Sequence, residues 1–234
     1  MPVNQENGFV GYREFILRAE PTSITTLDES NSTGLWTLPS GTNLLDGATA
    51  TDPSEPGGAN HGNGDITSSS WTTLTDGSVG SPGTQLQSVA PLNRTSVIFP
   101  LDTSVNFNGY NISSFDAYGA WGDSGRDNLD FAIRYSTVAD PTTFIPLAAI
   151  TNHTSPPLNA THTRLTPSSG YLATGVAAIQ IYFNNQENGY VGYREFILLG
   201  SAVSLTDPLT WTGGSGTGGN ADWVTTPDSN WQIT

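Results

Sequence analysis

The sequence predicts an all-β protein, and two features carry that prediction. Gly, Ser, Thr, Asn, Asp and Pro interrupt the chain every few residues, which is typical of short strands joined by turns. No stretch of twelve residues places apolar side chains at helical spacing. The length of 234 residues allows one large β domain or two small ones, because β-sandwiches of such size commonly form a single unit.

Alternation of apolar and polar residues locates the individual strands. The predicted strands lie at 97–101, 131–135, 179–183 and 193–198. Segments rich in Gly, Pro and polar residues separate them, and we interpret these as loops. The predicted loops lie at 43–66, 121–128 and 152–163.

Composition excludes several classes of function. The chain has no cysteine, so disulfides, thiolate metal sites and cysteine nucleophiles are impossible. It has no lysine and a formal net charge of −14, which disfavours nucleic acid and anionic lipid as partners. An acidic, Thr- and Asn-rich surface suits an extracellular bacterial protein, although residues 1–3 do not begin a signal peptide.

Catalysis has little support in the sequence. The three histidines, His61, His153 and His162, lie in polar segments without an HExxH or G-x-S-x-G context. Acidic loop residues such as Asp123 and Asp127 are usually solvated rather than paired for glycoside hydrolysis. The sequence therefore predicts a protein that is not an enzyme.

Changes in character divide the chain into three parts. Residues 1–41 combine an isolated strand with a connector that has one further predicted strand at 35–38. Residues 42–200 form the predicted domain body. Residues 201–234 contain tryptophans separated by Gly- and Thr-rich sequence.

Four motifs in the body resemble a known family. They read NLLDGATA, SSSWTTLTDGS, GAWGDSGRDNLDFAIRYSTV and GYREFILLG, at 43–50, 68–78, 119–138 and 192–200. In this order they resemble the galactose-binding-like, or discoidin-like, domains of large secreted bacterial surface proteins. The resemblance covers about two thirds of the chain and implies an antiparallel jelly-roll β-sandwich that binds carbohydrate or mediates adhesion. The chain departs from the family at 135–144 and in the long loop at 52–64.

The C-terminal part has a resemblance of its own. Residues 201–234 resemble the start of autotransporter-associated β-strand repeats, in which Trp211, Trp223 and Trp231 would be structural rungs. A platform for stacking sugars is the alternative.

One segment occurs twice. NQENGFVGYREFIL at 4–17 returns as NQENGYVGYREFIL at 185–198, with only Phe9 replaced, by Tyr190. The second copy is the last predicted strand of the sandwich, so the first is interpreted as the final strand of a preceding tandem copy. A strand without a partner needs a sheet edge. We therefore expect neighbouring copies of the chain to be partners through 4–17.

The family resemblance also implies a structural Ca²⁺ site. Its carboxylate ligands would be Glu195 in the last strand and Asp76 in the DG turn, with Ser78 as an additional oxygen ligand. The alternative is that Glu195 pairs with Arg194 or Arg134 while Asp76 only caps its turn.

The loop after residue 120 is the predicted glycan site. Aromatic faces and forked polar groups are what sugar binding requires. The candidate residues are Trp121, Asp123, Arg126, Asp127 and Asn128, with Tyr190 on an adjacent segment. The alternative is that Trp121 covers the end of the core. Two functions stay open: an extracellular carbohydrate-binding or adhesive module, and a structural spacer or self-assembling repeat.

Overall fold

The regular secondary structure of the described residues is almost entirely β. The computed structural model describes residues 23–33, 35–51, 71–80, 88–91, 94–122, 125–153, 160–184, 191–204, 209–211 and 231–233. Within them lie a 3-10 turn at Trp71–Thr75 and ten strands: β1 (Ile24–Asn31), β2 (Ser96–Pro100), β3 (Tyr110–Ala120), β4 (Leu129–Thr137), β5 (Ile145–Asn152), β6 (Ala160–Pro167), β7 (Ala173–Phe183), β8 (Tyr193–Ala202), β9 (Leu209–Trp211) and β10 (Trp231–Ile233). The described residues contain no helix able to cross a membrane.

The eight longer strands form two antiparallel layers. One layer has the order β1-β6-β3-β8 and the other β5-β4-β7-β2. The layers join at one corner, where Tyr110 and Ile112 of β3 pair with Val176 and Ala173 of β7. Beyond this corner β3 pairs with β6, and β7 pairs with β2. This divergence turns one sheet into a sandwich.

Aromatic side chains fill the space between the layers. Phe115 of β3 packs against Phe131 of β4 with ring centroids 6.0 Å apart, and Phe99 of β2 packs against Phe196 of β8 at 6.4 Å. All four side chains are fully buried. Their contacts join one layer to the other, so the prediction of an all-β antiparallel sandwich is confirmed.

The four strands predicted from alternation correspond to β2, β4, β7 and β8. Two other predictions are wrong. The segment 35–38 is not a strand, and the strand of that region is β1, which pairs with β6. The predicted loop 152–163 ends inside β6, which begins at Ala160.

Residues 161–163 form a strand despite their polarity because their side chains have hydrogen-bond partners in other segments of the chain. His162 Nδ1 lies 2.8 Å from Glu29 Oε2, and its Nε2 lies 2.8 Å from Asp116 Oδ1. The Thr163 hydroxyl donates to Asp28 Oδ1 at 2.6 Å. Polar groups satisfied in this way are stable in a sheet, but composition alone does not reveal the partners.

The three predicted parts of the chain compare with the strands as follows. β1 lies ahead of residue 42, and β8 ends at Ala202. β9 and β10 lie within 201–234 and pair with each other, with Trp211 opposite Trp231. The segment 4–17 lies outside the described residues, as do residues 185–190 of its second copy.

Candidate functional site

The outward face of the β5-β4-β7-β2 layer carries a row of polar residues at one end. Phe131 of β4 and Phe183 of β7 point into the core, so the residues next to them in sequence point outward. Asp130 of β4 is paired with Thr151 of β5. On its other side, the Asn184 amide donates to the Asp130 carbonyl at 3.0 Å. Thr151, Asp130 and Asn184 therefore lie side by side across three strands.

The next outward row contains an aromatic ring among small residues. Tyr182 of β7 is paired with Ala132 of β4, which is paired with Ala149 of β5. The two alanine side chains leave open space beside the half-buried Tyr182 ring. The guanidinium of Arg134, further along β4, lies 5.8 Å from the centre of that ring, within cation–π distance.

These rows border an open pocket with a volume of about 490 Å³. It is lined by Arg94, Asp130, Thr151, His153, Tyr182 and Asn184. The Asp130 side chain is 9% exposed, and its Oδ2 lies 3.7 Å from Nε2 of the exposed His153. The lining combines a ring face with acidic, basic, amide and hydroxyl groups, so it offers both stacking and hydrogen bonds to one ligand.

The backbone of Asp130 is fixed from inside the core. Tyr193 of β8 is fully buried, and its hydroxyl donates to the Asp130 carbonyl at 3.1 Å. The Asp130 amide in turn donates to the same hydroxyl at 3.4 Å. A buried tyrosine from the opposite layer thus positions the pocket's carboxylate, which is the kind of support that a binding site requires.

Arg94 enters the pocket from a β-bulge. The Arg94 amide donates to the Phe183 carbonyl at 2.9 Å, and the Phe183 amide donates to the Thr95 carbonyl at 2.9 Å. Two residues therefore oppose one, and Arg94 has a φ of 63°. Glycine usually occupies this position because a side chain strains it. Bulges next to functional sites redirect a side chain.

Sequence reasoning did not find this pocket. His153 was considered only as one of three histidines in polar segments. Arg94, Asp130 and Tyr182 are in or beside strands that were predicted from their inward-facing residues, whereas Thr151 lies in β5, which was not predicted. The sequence feature that could have located the pocket is the series of outward-facing residues on the predicted strands. In β4 these are Asp130, Ala132 and Arg134, which alternate with the core residues.

The predicted glycan loop has a different geometry from the one expected. The expectation that Trp121 presents an exposed ring is wrong, because its side chain is 3% exposed. The Arg126 guanidinium lies 5.3 Å from the Trp121 ring centre. A Cβ at Gly192 would overlap this ring and the Ala120 carbonyl oxygen, so the indole packs tightly against the backbone that leads into β8.

The other predicted ligand-binding residues are distributed as follows. Asp127 is 2% exposed, and the Thr161 hydroxyl donates to its carbonyl. Asn128 is half-buried. Asp123 and Tyr190 lie outside the described residues. None of the described residues predicted for the glycan site lines the pocket.

The residues predicted to bind calcium lie close together. The Gly77 amide donates to Glu195 Oε2 at 3.2 Å, which places the turn at 76–78 against β8. The Ser78 amide donates to Asp76 Oδ1 at 2.9 Å, and the Ser78 hydroxyl accepts from the Gly80 amide at 3.1 Å. Asp76 therefore caps its turn, as the alternative expected.

The environment of Glu195 is unusual for a carboxylate. Its side chain is fully buried, and Oε1 has no hydrogen-bond partner among the described residues. Burial, with a smaller contribution from the charge of Asp76, raises the pKa of Glu195 to about 9. Burial also raises the pKa of Asp76. Arg194, next to it in β8, is also buried and donates to the Val79 carbonyl at 2.9 Å. The alternative pairing of Glu195 with Arg194 or Arg134 stays a prediction.

Comparison with known proteins gives similarity to solved structures only. No protein-family model and no curated protein matches the chain. Chitosan-binding module 1 of a chitosanase/glucanase from Paenibacillus sp. IK-5 is 13% identical, with 68% of this chain and 99% of that one covered and a TM-score of 0.42. CBM32-1 of a family 31 glycoside hydrolase from Clostridium perfringens is 10% identical, with 67% of this chain and 96% of that one covered and a TM-score of 0.44.

A third similar structure is the family 32 carbohydrate-binding module of C. perfringens NanJ in complex with galactose. It is 12% identical, with 67% of this chain and 97% of that one covered and a TM-score of 0.42. The solved structures named here are thus carbohydrate-binding modules. At such identities and TM-scores no residue can be equated between chains, so the site assignments depend on the residues of this chain.

Proposed function

We propose that this chain is a non-catalytic carbohydrate-binding module of an extracellular protein, and that the outward pocket on β4, β5 and β7 binds the sugar. The observation that carries the proposal is the position of Tyr182, whose ring borders a 490 Å³ open pocket. Ala132 and Ala149 leave room beside that ring. Sugar sites combine such a ring face with a few fixed polar groups.

Each lining group has a role in this proposal. The Tyr182 ring stacks against the apolar C–H face of a sugar ring. The carboxylate of Asp130 accepts hydrogen bonds from sugar hydroxyls, while the Asn184 amide and the Thr151 hydroxyl both donate and accept. Asp130 is suited to this role because Tyr193 fixes its backbone. Fixed groups lose little entropy when the ligand binds.

The lining also supports a binding role over a hydrolytic one. Glycosidases generally use two carboxyl groups on opposite sides of the scissile bond. Among the described residues that line the pocket, Asp130 supplies the carboxylate and no second acidic residue accompanies it. The Asp130 carboxylate lies 3.7 Å from the His153 imidazole, and the described lining includes no serine to act as a nucleophile.

Affinity electrophoresis through polysaccharide gels tests the proposal. We expect at least one polysaccharide to retard the protein, and Tyr182→Ala to abolish the retardation. Tyr171→Ala is the matched control, because Tyr171 is 43% exposed and precedes the other end of β7. No retardation in any of a broad panel of gels, or equal effects of the two substitutions, would contradict the proposal.

We further propose that Glu195 and Asp76 hold a structural Ca²⁺. The fully buried Oε1 of Glu195 lacks a partner among the described residues. Burial raises the pKa of both Glu195 and Asp76, so each carboxyl group is costly to ionise when no cation is present. Calcium prefers such oxygen ligands, with carbonyl and hydroxyl groups completing its shell. In this proposal the Ser78 hydroxyl is an additional oxygen ligand. A bound ion would fasten the 76–78 turn to β8.

Self-association through the repeated strand is a second candidate function. Its support is the recurrence of β8 residues within 4–17. β1 and β5 end their layers, and an end strand offers free amide and carbonyl groups along one edge. In this proposal, segment 4–17 of one molecule pairs with such an edge on a neighbouring copy.

A further inference from the structure

The described arginines of this acidic protein fall into two groups: three contact other protein groups away from the pocket, and two lie beside Tyr182. The chain carries a formal charge of −14. Arg164 donates to Asp116 at 2.6 Å, Arg194 is buried and donates to the Val79 carbonyl at 2.9 Å, and Arg126 covers Trp121. The two remaining described arginines, Arg94 and Arg134, lie on either side of Tyr182: Arg94 lines the pocket with it, and Arg134 stacks on its ring. Two of the five described arginines thus lie at or beside the pocket.

Neither of these two arginines is neutralised by a described acidic residue. The ion pairs among the described residues involve His153, His162 and Arg164, and none involves Arg94 or Arg134. Arg94 is exposed. An exposed guanidinium at a pocket rim presents a planar fork that matches a carboxylate or a sulfate.

The backbone at Arg94 adds an independent argument. Its φ of 63° lies in the left-handed region, which is unfavourable for any residue with a side chain. Glycine would relieve that strain and keep the bulge, but it would remove the guanidinium. Strain of this kind clusters at ligand-binding positions. The bulge directs the side chain of this residue into the pocket lining.

We propose that the pocket takes an acidic saccharide, a uronate or a sulfated sugar, and that Arg94 binds its anionic group. This inference rests on the proposed carbohydrate-binding function. The sugar ring stacks on Tyr182, and Asp130, Asn184 and Thr151 bind its hydroxyls. Asp130 opposes an anion, but its carboxylate is only 9% exposed and lies 3.7 Å from the His153 imidazole. The exposed Arg94 is therefore the more accessible charge.

Binding to polygalacturonate, before and after methyl esterification of its carboxylates, tests the proposal, with a sulfated galactan as a second anionic polymer. We expect the esterified polymer to bind at least about tenfold more weakly, which is the size expected for losing a charge-assisted hydrogen-bonded pair. Arg94→Gly should abolish the preference for the acidic polymer without lowering the melting temperature, because glycine fits the left-handed backbone. Preference for the sulfated polymer over both forms of polygalacturonate would identify sulfate as the anionic group.

Thr174→Glu is the matched control. It also makes the net charge more negative, on an exposed residue of β7 about 26 Å from Tyr182 along the strand. We expect it to leave the preference unchanged. Equal loss in Arg94→Gly and Thr174→Glu would mean that only net charge matters, and would overturn the role of Arg94.

The outcomes separate this inference from the proposed function. Equal binding of acidic and neutral polymers, abolished by Tyr182→Ala, would overturn the acidic ligand and leave the carbohydrate site in place. A preference for the acidic polymer that survives Arg94→Gly would overturn the assignment of Arg94. Absence of binding to every polysaccharide tested would overturn the proposed function, and this inference with it.

Discussion

The protonation of Glu195 should make the stability of the protein depend on pH in an unusual direction. Burial and Asp76 raise the pKa of this carboxyl group from 4.5 to about 9. In the absence of metal, the folded state therefore keeps a proton that the unfolded state releases above pH 4.5. The free energy of unfolding must then fall as the pH rises from 4.5 towards 9.

The size of the effect follows from the shift. Each pH unit inside this window changes the free energy of unfolding by at most about 1.4 kcal/mol. Between pH 5 and pH 7.5, Glu195 should lower it by roughly 3 kcal/mol. The raised pKa of Asp76 acts in the same direction. Glu195→Gln removes the titrating group and keeps an oxygen to accept from the Gly77 amide, so its stability should change much less.

Urea unfolding in EDTA at pH 5, 6 and 7.5 measures this difference. The other titrating groups are common to both proteins and cancel when the wild type is compared with Glu195→Gln. Parallel pH profiles of the two proteins would refute the buried neutral carboxyl group. Calcium favours the ionised form, so an excess of calcium should raise stability at pH 7.5 and flatten the wild-type profile. Equal unfolding curves with EDTA and with calcium at pH 7.5 would refute the metal site.

Three further predictions concern the core and the repeat. Trp121→Ala should lower the free energy of unfolding by about 3–5 kcal/mol, because it removes a buried indole; a loss below about 1 kcal/mol in urea unfolding would contradict its packing role. Gly192→Ala should cost about 1–3 kcal/mol, since its Cβ would overlap the Ala120 carbonyl and the Trp121 ring, and an unchanged melting temperature would argue against that contact. Deletion of residues 1–17 should abolish concentration-dependent association in light scattering, and association that persists would argue against strand exchange.

The sequence was sufficient to predict strands with one apolar face. β4 and β7 alternate Phe131 and Ile133, or Ile179 and Ile181, with polar or small residues, and such alternation directly reflects burial of one side. The first half of β6 was mistaken for a loop because this strand is stabilised by partners distant in sequence. His162 is held by Glu29 and Asp116, which alternation within β6 cannot reveal.

The candidate site was predictable only in part. The turn at 76–78 and Glu195 were expected to converge, and they do. Trp121 was assigned to a glycan site by residue type, but residue type does not distinguish an exposed ring from one buried against a glycine backbone. The outward pocket depends on the register of β4, β5 and β7, which brings Asp130, Thr151 and Asn184 together. Register is set by pairing between distant segments and cannot be read along one strand.

Chemical-shift mapping with a soluble oligosaccharide is the most direct test of the central claim, that the outward pocket binds carbohydrate. The oligosaccharide is prepared from whichever polymer retards the protein most strongly in gels. We predict saturable shifts centred on Asp130, Thr151 and Tyr182, and none in Tyr182→Ala at the same ligand concentrations. Saturable shifts centred instead on residues 121–128, with the pocket amides unmoved, would contradict the claim.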